Sequence, residues 1–259
     1  MKNRITTLLE KKSKDLLSVF YTAGFPSLED TGAIAIELEK AGADFIEIGI
    51  PFSDPVADGP VIQESNKIAL DNGMTLIKLL QQVRDIRKEV KFPIILMGYL
   101  NPVLQYGVEK FCKDASEAGV DGLIIPDMPM DEYQQEYKKT MDAYGLCNTF
   151  LISPTTSEER IRKIDDSTHG FIYAVSSSST TGARDSFSSD QEEYFRKISQ
   201  MKLKNPFLIG FGISNHKTFS TACAYGSGAI VGSSFISLLK NRSGSGGEIG
   251  EFVKNLKSN

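Results

Sequence analysis

Residues 43–60 read Ala-Asp-Phe-Ile-Glu-Ile-Gly-Ile-Pro-Phe-Ser-Asp-Pro-Val-Ala-Asp-Gly-Pro. Side chains alternate across a strand, so Ile46, Ile48 and Ile50 share one face while Phe45, Glu47 and Gly49 share the other. Three isoleucines belong against a layer of helices. Glu47 then points inward, to the lumen of a closed sheet, where a glutamate is rarely buried without a partner or a task. Desolvation would raise its pKa and let it hold or pass a proton near neutrality; the alternative is a glutamate whose hydrogen bonds only knit the barrel. The loop that follows holds Asp54 and Asp58 between prolines, which cheapen its ordering. Asp58, just before Gly59-Pro60, either caps the next helix or serves a ligand.

Outward from this strand the same texture recurs. Short runs rich in β-branched and aromatic residues lie at 16–24 (LLSVFYTAG), 44–50, 92–99 (FPIILMGY), 120–127 (VDGLIIPD), 147–153 (CNTFLIS), 170–176 (GFIYAVS), 206–212 (PFLIGFG) and 229–234 (AIVGSS), which implies eight strands. Segments with helical spacing separate them, such as Leu76/Leu79/Leu80/Val83 and Val108/Phe111/Cys112/Ala115. Ser27 and Ser157 read as N-caps, Pro60 as a first-turn residue, and Gly42, Gly73, Gly119, Gly145 and Gly226 as helix stops. Strands that are apolar on both faces, alternating with helices, predict an α/β fold: a (β/α)8 TIM barrel formed as a single domain over residues 1–259. An open doubly wound sheet is the second choice. Outside the eight units fall an extra N-terminal helix around Ile5–Leu9, a further helix after Pro60, a Gly/Ser spacer at 243–247 and a terminal helix at Phe252–Leu256.

Composition narrows the function. With 29 Lys+Arg against 33 Asp+Glu the net charge is −4, and no clustered basic run exists, so nucleic acid is not the expected partner. Charges interrupt the first twenty residues every few positions, which argues against a signal peptide or a membrane span and for a cytoplasmic protein. Three widely spaced cysteines (Cys112, Cys147, Cys223) read as core thiols rather than a disulfide framework. With only two histidines, a catalytic transition metal is not expected.

In such a barrel the functional groups gather at the C-terminal strand ends. None of those ends carries a lysine, which removes Schiff-base chemistry and leaves carboxylate, phenol and hydroxyl groups. Asp127, at the end of the fourth strand, suits a ligand or a neighbouring loop. Thr181-Gly182-Ala183, Gly210-Phe211-Gly212-Ile213-Ser214 and Gly232-Ser233-Ser234 follow strands six, seven and eight. Glycine lets the backbone approach an anion and helix N-termini offer free N–H groups, so the three together suggest a phosphate cradle. GFGISN lacks the third glycine and the following acid of a dinucleotide fingerprint.

The sequence resembles the tryptophan synthase alpha subunit family. The carrying motif is Glu47-Ile-Gly-Ile-Pro-Phe-Ser-Asp-Pro-Val-Ala-Asp58-Gly-Pro, supported by FYTAGFP, Tyr173 with Thr181-Gly182, Gly210-Phe-Gly212-Ile-Ser and Val231-Gly232-Ser233. The resemblance implies retro-aldol cleavage of indole-3-glycerol phosphate to indole and D-glyceraldehyde 3-phosphate. Glu47 would be the general acid/base and Asp58 the carboxylate that binds the indole N–H. Tyr173 would be a substrate-binding residue beside them, Phe20 would line the indole pocket, Gly182, Gly212, Gly232 and Ser233 would hold the phosphate, and Thr181 would meet the Asp58 loop on closure. No metal and no cofactor are implied for this chain. PLP is expected in a beta subunit that receives indole within an αββα heterotetramer, contacted through the loop after strand two and Asn101–Gly107. The chain departs from the family pattern at Ser177–Thr180, which lacks the usual lid Arg and Gly. A stand-alone lyase and a weakly catalytic activating subunit are the alternatives.

Overall fold

The computed structural model describes residues 2–176, 185–242 and 247–258. Helix α1 (Arg4–Lys11) precedes β1 (Leu16–Thr22), α2 (Asp30–Ala41), β2 (Phe45–Gly49), α3 (Pro60–Asp71), α4 (Leu76–Glu89) and β3 (Ile94–Met97). Next come α5 (Leu100–Tyr106), α6 (Val108–Ala118), β4 (Gly122–Ile124), α7 (Met130–Glu132), a π-helical turn at Tyr133–Tyr137, α8 (Lys138–Ala143), β5 (Cys147–Thr149) and β6 (Leu151–Ile152). The chain ends with α9 (Glu158–Ser167), β7 (Ile172–Val175), α10 (Ser189–Gln200), β8 (Phe207–Gly210), α11 (His216–Tyr225), β9 (Gly228–Val231), α12 (Ser233–Lys240) and α13 (Glu248–Lys257).

All strand pairs are parallel, in the order β5-β4-β3-β2-β1-β9-β8-β7-β6. The two ends of that order flank Phe150, so the sheet rolls into a nearly closed barrel. The expected fifth strand is therefore two short ones. Cys147 to Thr149 pair with β4, Leu151 and Ile152 pair with β7, and between them Phe150 turns its ring outward against Tyr133, 5.0 Å away. One stretch of chain serves two neighbours in turn.

Two apolar layers result. Ile46, Ile48 and Ile50 pack in the shell between sheet and helices, as their phase predicts. Phe45, Ile95, Tyr173, Leu208 and Ile230 fill the lumen. Ile5 of α1 plugs its base: a Cβ on Gly122 would lie 2.7 Å from the Ile5 Cδ1, so only glycine admits the plug. The plug is tied down by Asn3, which caps α1 and donates to the Asp121 and Gly145 carbonyls. The buried Asp121 carboxylate accepts from Arg4 at 3.0 Å and from Arg87 at 2.9 Å.

Most boundary signals hold. Pro60 opens α3, the Ser157 hydroxyl accepts from the Arg160 N–H, and Gly42 and Gly119 close their helices in the left-handed conformation. Ser27 is not a cap. Helix α2 begins only at Asp30, whose carboxylate accepts from the Ser27 N–H and makes that segment a turn. The terminal helix is longer than expected, and residues 243–246 of the Gly/Ser spacer lie outside the described residues. All three cysteines are buried and none is in a disulfide.

Candidate active site

A cavity of about 820 Å³, its open mouth included, occupies the C-terminal end of the barrel. Gly49, Met97 and Gly232 line it from or just past their strand ends, joined by Phe20, Asp58 and Tyr173.

Parallel register fixes the depth of each group. Phe20 stands level with Glu47, Ser18 with Phe45 one layer deeper, and Thr22 with Gly49 one layer higher. Glu47 is fully buried beneath the cavity floor. Its Oε1 accepts from the Ser18 hydroxyl at 2.7 Å, and its Oε2 has no hydrogen-bond partner among the described residues. Burial pushes the carboxyl up to about 8, against the smaller opposing pull of the Ser18 hydrogen bond. A carboxyl in this state carries its proton at neutral pH and has one oxygen free to give it away.

Asp58 does not cap α3; Gly59 does, without a side-chain bond. The Asp58 carboxylate instead faces the cavity and accepts from the Tyr99 phenol at 3.2 Å, while that phenol accepts from the Ala57 N–H at 3.0 Å. Partial burial raises Asp58 to about 6, with the Tyr99 hydrogen bond pulling the other way. Tyr173 is buried and stays protonated, first by desolvation and then by the nearby Glu47 and Asp58 carboxyls.

Glycines shape the cavity around these groups. A Cβ on Gly49 would lie 2.7 Å from the Phe20 ring, and one on Gly210 only 2.3 Å from the Tyr173 hydroxyl. Gly210, grouped by its sequence with the anion-binding glycines, thus serves to seat a phenol. The following Phe211 and Gly212 both adopt positive φ, 66° and 81°. Phe211 is held there by its carbonyl, which accepts from the Ser176 hydroxyl at 2.8 Å, and by its ring, edge-on to Tyr173. Gly212, Gly232 and Ser233 all line the cavity, and Gly232 leads into the first turn of α12 with no side-chain cap. First-turn N–H groups of a helix have no intrahelical acceptor, and the dipole there favours an anion.

The structure therefore gathers Phe20, Asp58, Tyr173, Gly212, Gly232 and Ser233 around one cavity, with Glu47 under its floor. Thr181, Gly182 and the Ser177–Thr180 segment lie outside the described residues. Asp127 serves a neighbouring loop, accepting from the Leu100 N–H at the start of α5. Sequence reasoning missed Ser18 and Tyr99. Tyr99 stands in a strand-end motif and was detectable by position; Ser18 had no local signal. Among the described residues no group of three His, Cys, Asp or Glu side chains is placed to hold a metal ion, and no helix is long and apolar enough to cross a membrane.

Fold and cavity define a (β/α)8-barrel protein whose pocket sits at the C-terminal strand ends. The chain matches the family model for the tryptophan synthase alpha chain over residues 6–256. It is 56% identical over 255 residues to the tryptophan synthase alpha chain of Flavobacterium johnsoniae, covering 98% of this chain and all of that one. Its identity to the Christiangramia forsetii protein of the same name is 52% over 256 residues, 99% of each chain. The crystal structure of tryptophan synthase subunit alpha from Legionella pneumophila superposes with a TM-score of 0.89 at 34% identity, over 99% of this chain and 98% of that one. The Mycobacterium tuberculosis tryptophan synthase structure gives the same TM-score at 28% identity, with the same coverage. The chain belongs to the tryptophan synthase alpha chain family; it is a lyase that cleaves indole-3-glycerol phosphate, and the family implies a beta-subunit partner.

Proposed function

We propose that Glu47 and Asp58 carry the cleavage between them, with no metal and no cofactor in this chain. The indole would lie against Phe20 and Tyr173 with its N–H on the Asp58 carboxylate, and the phosphate would sit at Gly212, Gly232 and Ser233, with Gly182 completing the cradle. Glu47 protonates indole C3, and the resulting C=N becomes the electron sink. The Glu47 carboxylate then takes the glyceryl hydroxyl proton, the C–C bond breaks toward the ring, and indole and D-glyceraldehyde 3-phosphate separate with Glu47 protonated again. Asp58 stabilises the positive charge that grows on nitrogen.

The observation that carries this reading is the unlike state of the two carboxyls. Glu47, dry and raised to about 8, holds a proton, while Asp58, raised only to about 6, is ionised at neutral pH. Environments that push two carboxyls apart mark an acid and an anion.

The chain is further proposed to act as one barrel domain over residues 1–259, in the cytoplasm, as the outer subunit of an αββα heterotetramer whose beta subunit holds PLP and receives the indole. Val56 (84% exposed) in the loop after β2 and Leu104 (46%) on α5 lie in the two expected contact segments and are open to a partner. Indole release from indole-3-glycerol phosphate, measured with and without purified beta subunit, tests the reading. Stimulation by orders of magnitude is expected. High activity unaffected by the partner would mark a stand-alone lyase, and no cleavage even with the partner would leave only an activating subunit.

A further inference from the structure

We infer that Ser18 is a positioning residue for Glu47: its hydroxyl fixes Oε1 and thereby assigns proton transfer to Oε2. The inference rests on the reading of Glu47 as the proton-transfer group. Ser18 and Glu47 are each fully buried, and the 2.7 Å bond joins neighbouring strands across the lumen face. Ser18 stands one layer deeper than Glu47, so the bond draws one carboxyl oxygen away from the cavity and leaves the other, without a protein partner, as the reactive atom. Among the described residues no other side chain is hydrogen-bonded to Glu47. The lumen residues that β3, β8 and β9 contribute are Ile95, Leu208 and Ile230, all apolar. The titratable groups facing Glu47 are the Tyr173 phenol from β7 and, beyond it, the Asp58 carboxylate from the loop after β2. Neither is hydrogen-bonded to Glu47.

A donor that bonds a carboxylate favours its charged form, so the Ser18 hydroxyl lowers the proton affinity that burial raises. Without it Glu47 would hold its proton more tightly and sample more than one orientation. The test is Ser18→Ala, which adds no volume, set beside Ser18→Thr, which restores the hydroxyl, and Glu47→Gln as the control. The pH dependence of indole release is measured for each with the beta subunit present. Activity that requires protonated Glu47 falls on the alkaline side, so in Ser18→Ala the alkaline limb should move up by about one pH unit and kcat should drop about tenfold, with KM little changed. Ser18→Thr should return the limb toward its original position. An unmoved limb in a folded Ser18→Ala protein, or a kcat that rises, overturns the inference: the second result would mean that the bond holds Glu47 out of reach. If Glu47→Gln itself turns over normally, the assignment of Glu47 fails instead, and the two failures are told apart.

Discussion

Replacing Glu47 by Gln should separate stability from chemistry in one experiment. The wild-type carboxyl rises from 4.5 to about 8 on folding. The folded chain therefore binds more protons than the unfolded one between those values, and stability falls as pH climbs through the window. At about 1.4 kcal/mol per pH unit the loss by about pH 8 is about 3–5 kcal/mol. Gln does not titrate. It keeps an oxygen for the Ser18 hydroxyl but puts an amide N–H where Oε2 has no partner, at a pH-independent cost of about 1–3 kcal/mol. The variant should be the less stable protein near pH 5 and the more stable one near pH 8. Urea unfolding of both proteins across this range reads the difference directly. Cleavage should fall by a factor of about 10² to 10⁴ while a phosphate-bearing ligand still binds. Parallel stability curves would mean that Glu47 ionises like a wet carboxyl, and the account of its proton at neutral pH would be wrong.

The pH profile of kcat/KM should be bell-shaped, with limbs near 6 for Asp58 and near 8 for Glu47. Tyr99→Phe removes the donor that lowers Asp58, so the acid limb should move up and the bell narrow; an unshifted limb would discount the Tyr99 bond. Gly210→Ala would set a methyl 2.3 Å from the Tyr173 hydroxyl, costing about 1–3 kcal/mol by melting or urea midpoint and most of the cleavage activity, because the phenol can only retreat into the cavity. Ile5→Ala empties the plug at the barrel base and should cost about 2–5 kcal/mol, yet leave kcat of the folded protein unchanged, since the base is the end remote from the cavity.

The barrel was legible in the sequence because strands buried on both faces read as short continuous apolar runs, and a polar residue inside such a run is a signal that needs no partner to be read. The phase of Glu47 against Ile46, Ile48 and Ile50 is such a signal, and so are the stops at Gly42 and Gly119, where the chain must turn left-handed. Signals fail where a distant contact decides. Ser27 sits three residues before an acid, as a cap would, but the helix starts at the acid itself and the hydrogen bond runs from backbone to carboxylate. The break at Phe150 follows from two different neighbours on its two sides, and no local propensity encodes that. Ser18 lies 29 residues from the carboxylate it serves and Tyr99 lies 41 from Asp58. Gly210 looked like an anion binder because a glycine that admits a ring and one that admits a phosphate are the same letter.

If Glu47 and Asp58 act as proposed, the order of the chemical steps follows from where the chain places them. Glu47 belongs to a strand, so its surroundings are the mostly apolar side chains of neighbouring strands, with the Tyr173 phenol nearby and the Ser18 hydroxyl its one hydrogen-bond donor among the described residues. An anion there would have one donor and no solvent. Asp58 belongs to a loop, only partly buried, with the Tyr99 phenol donating to it. A protonated Asp58 would weaken the charge-assisted bond that Tyr99 donates to it. Of the two ways to share one proton, the arrangement that leaves it on Glu47 costs less on both counts, and in that state Asp58 is the anion at the cavity that can receive the indole N–H. On the proposed roles of Glu47 and Asp58 the reaction begins with proton delivery to carbon. Removal of the glyceryl proton can come only second, once Glu47 has been emptied by the first step and an anion stands briefly in a place built to refuse one.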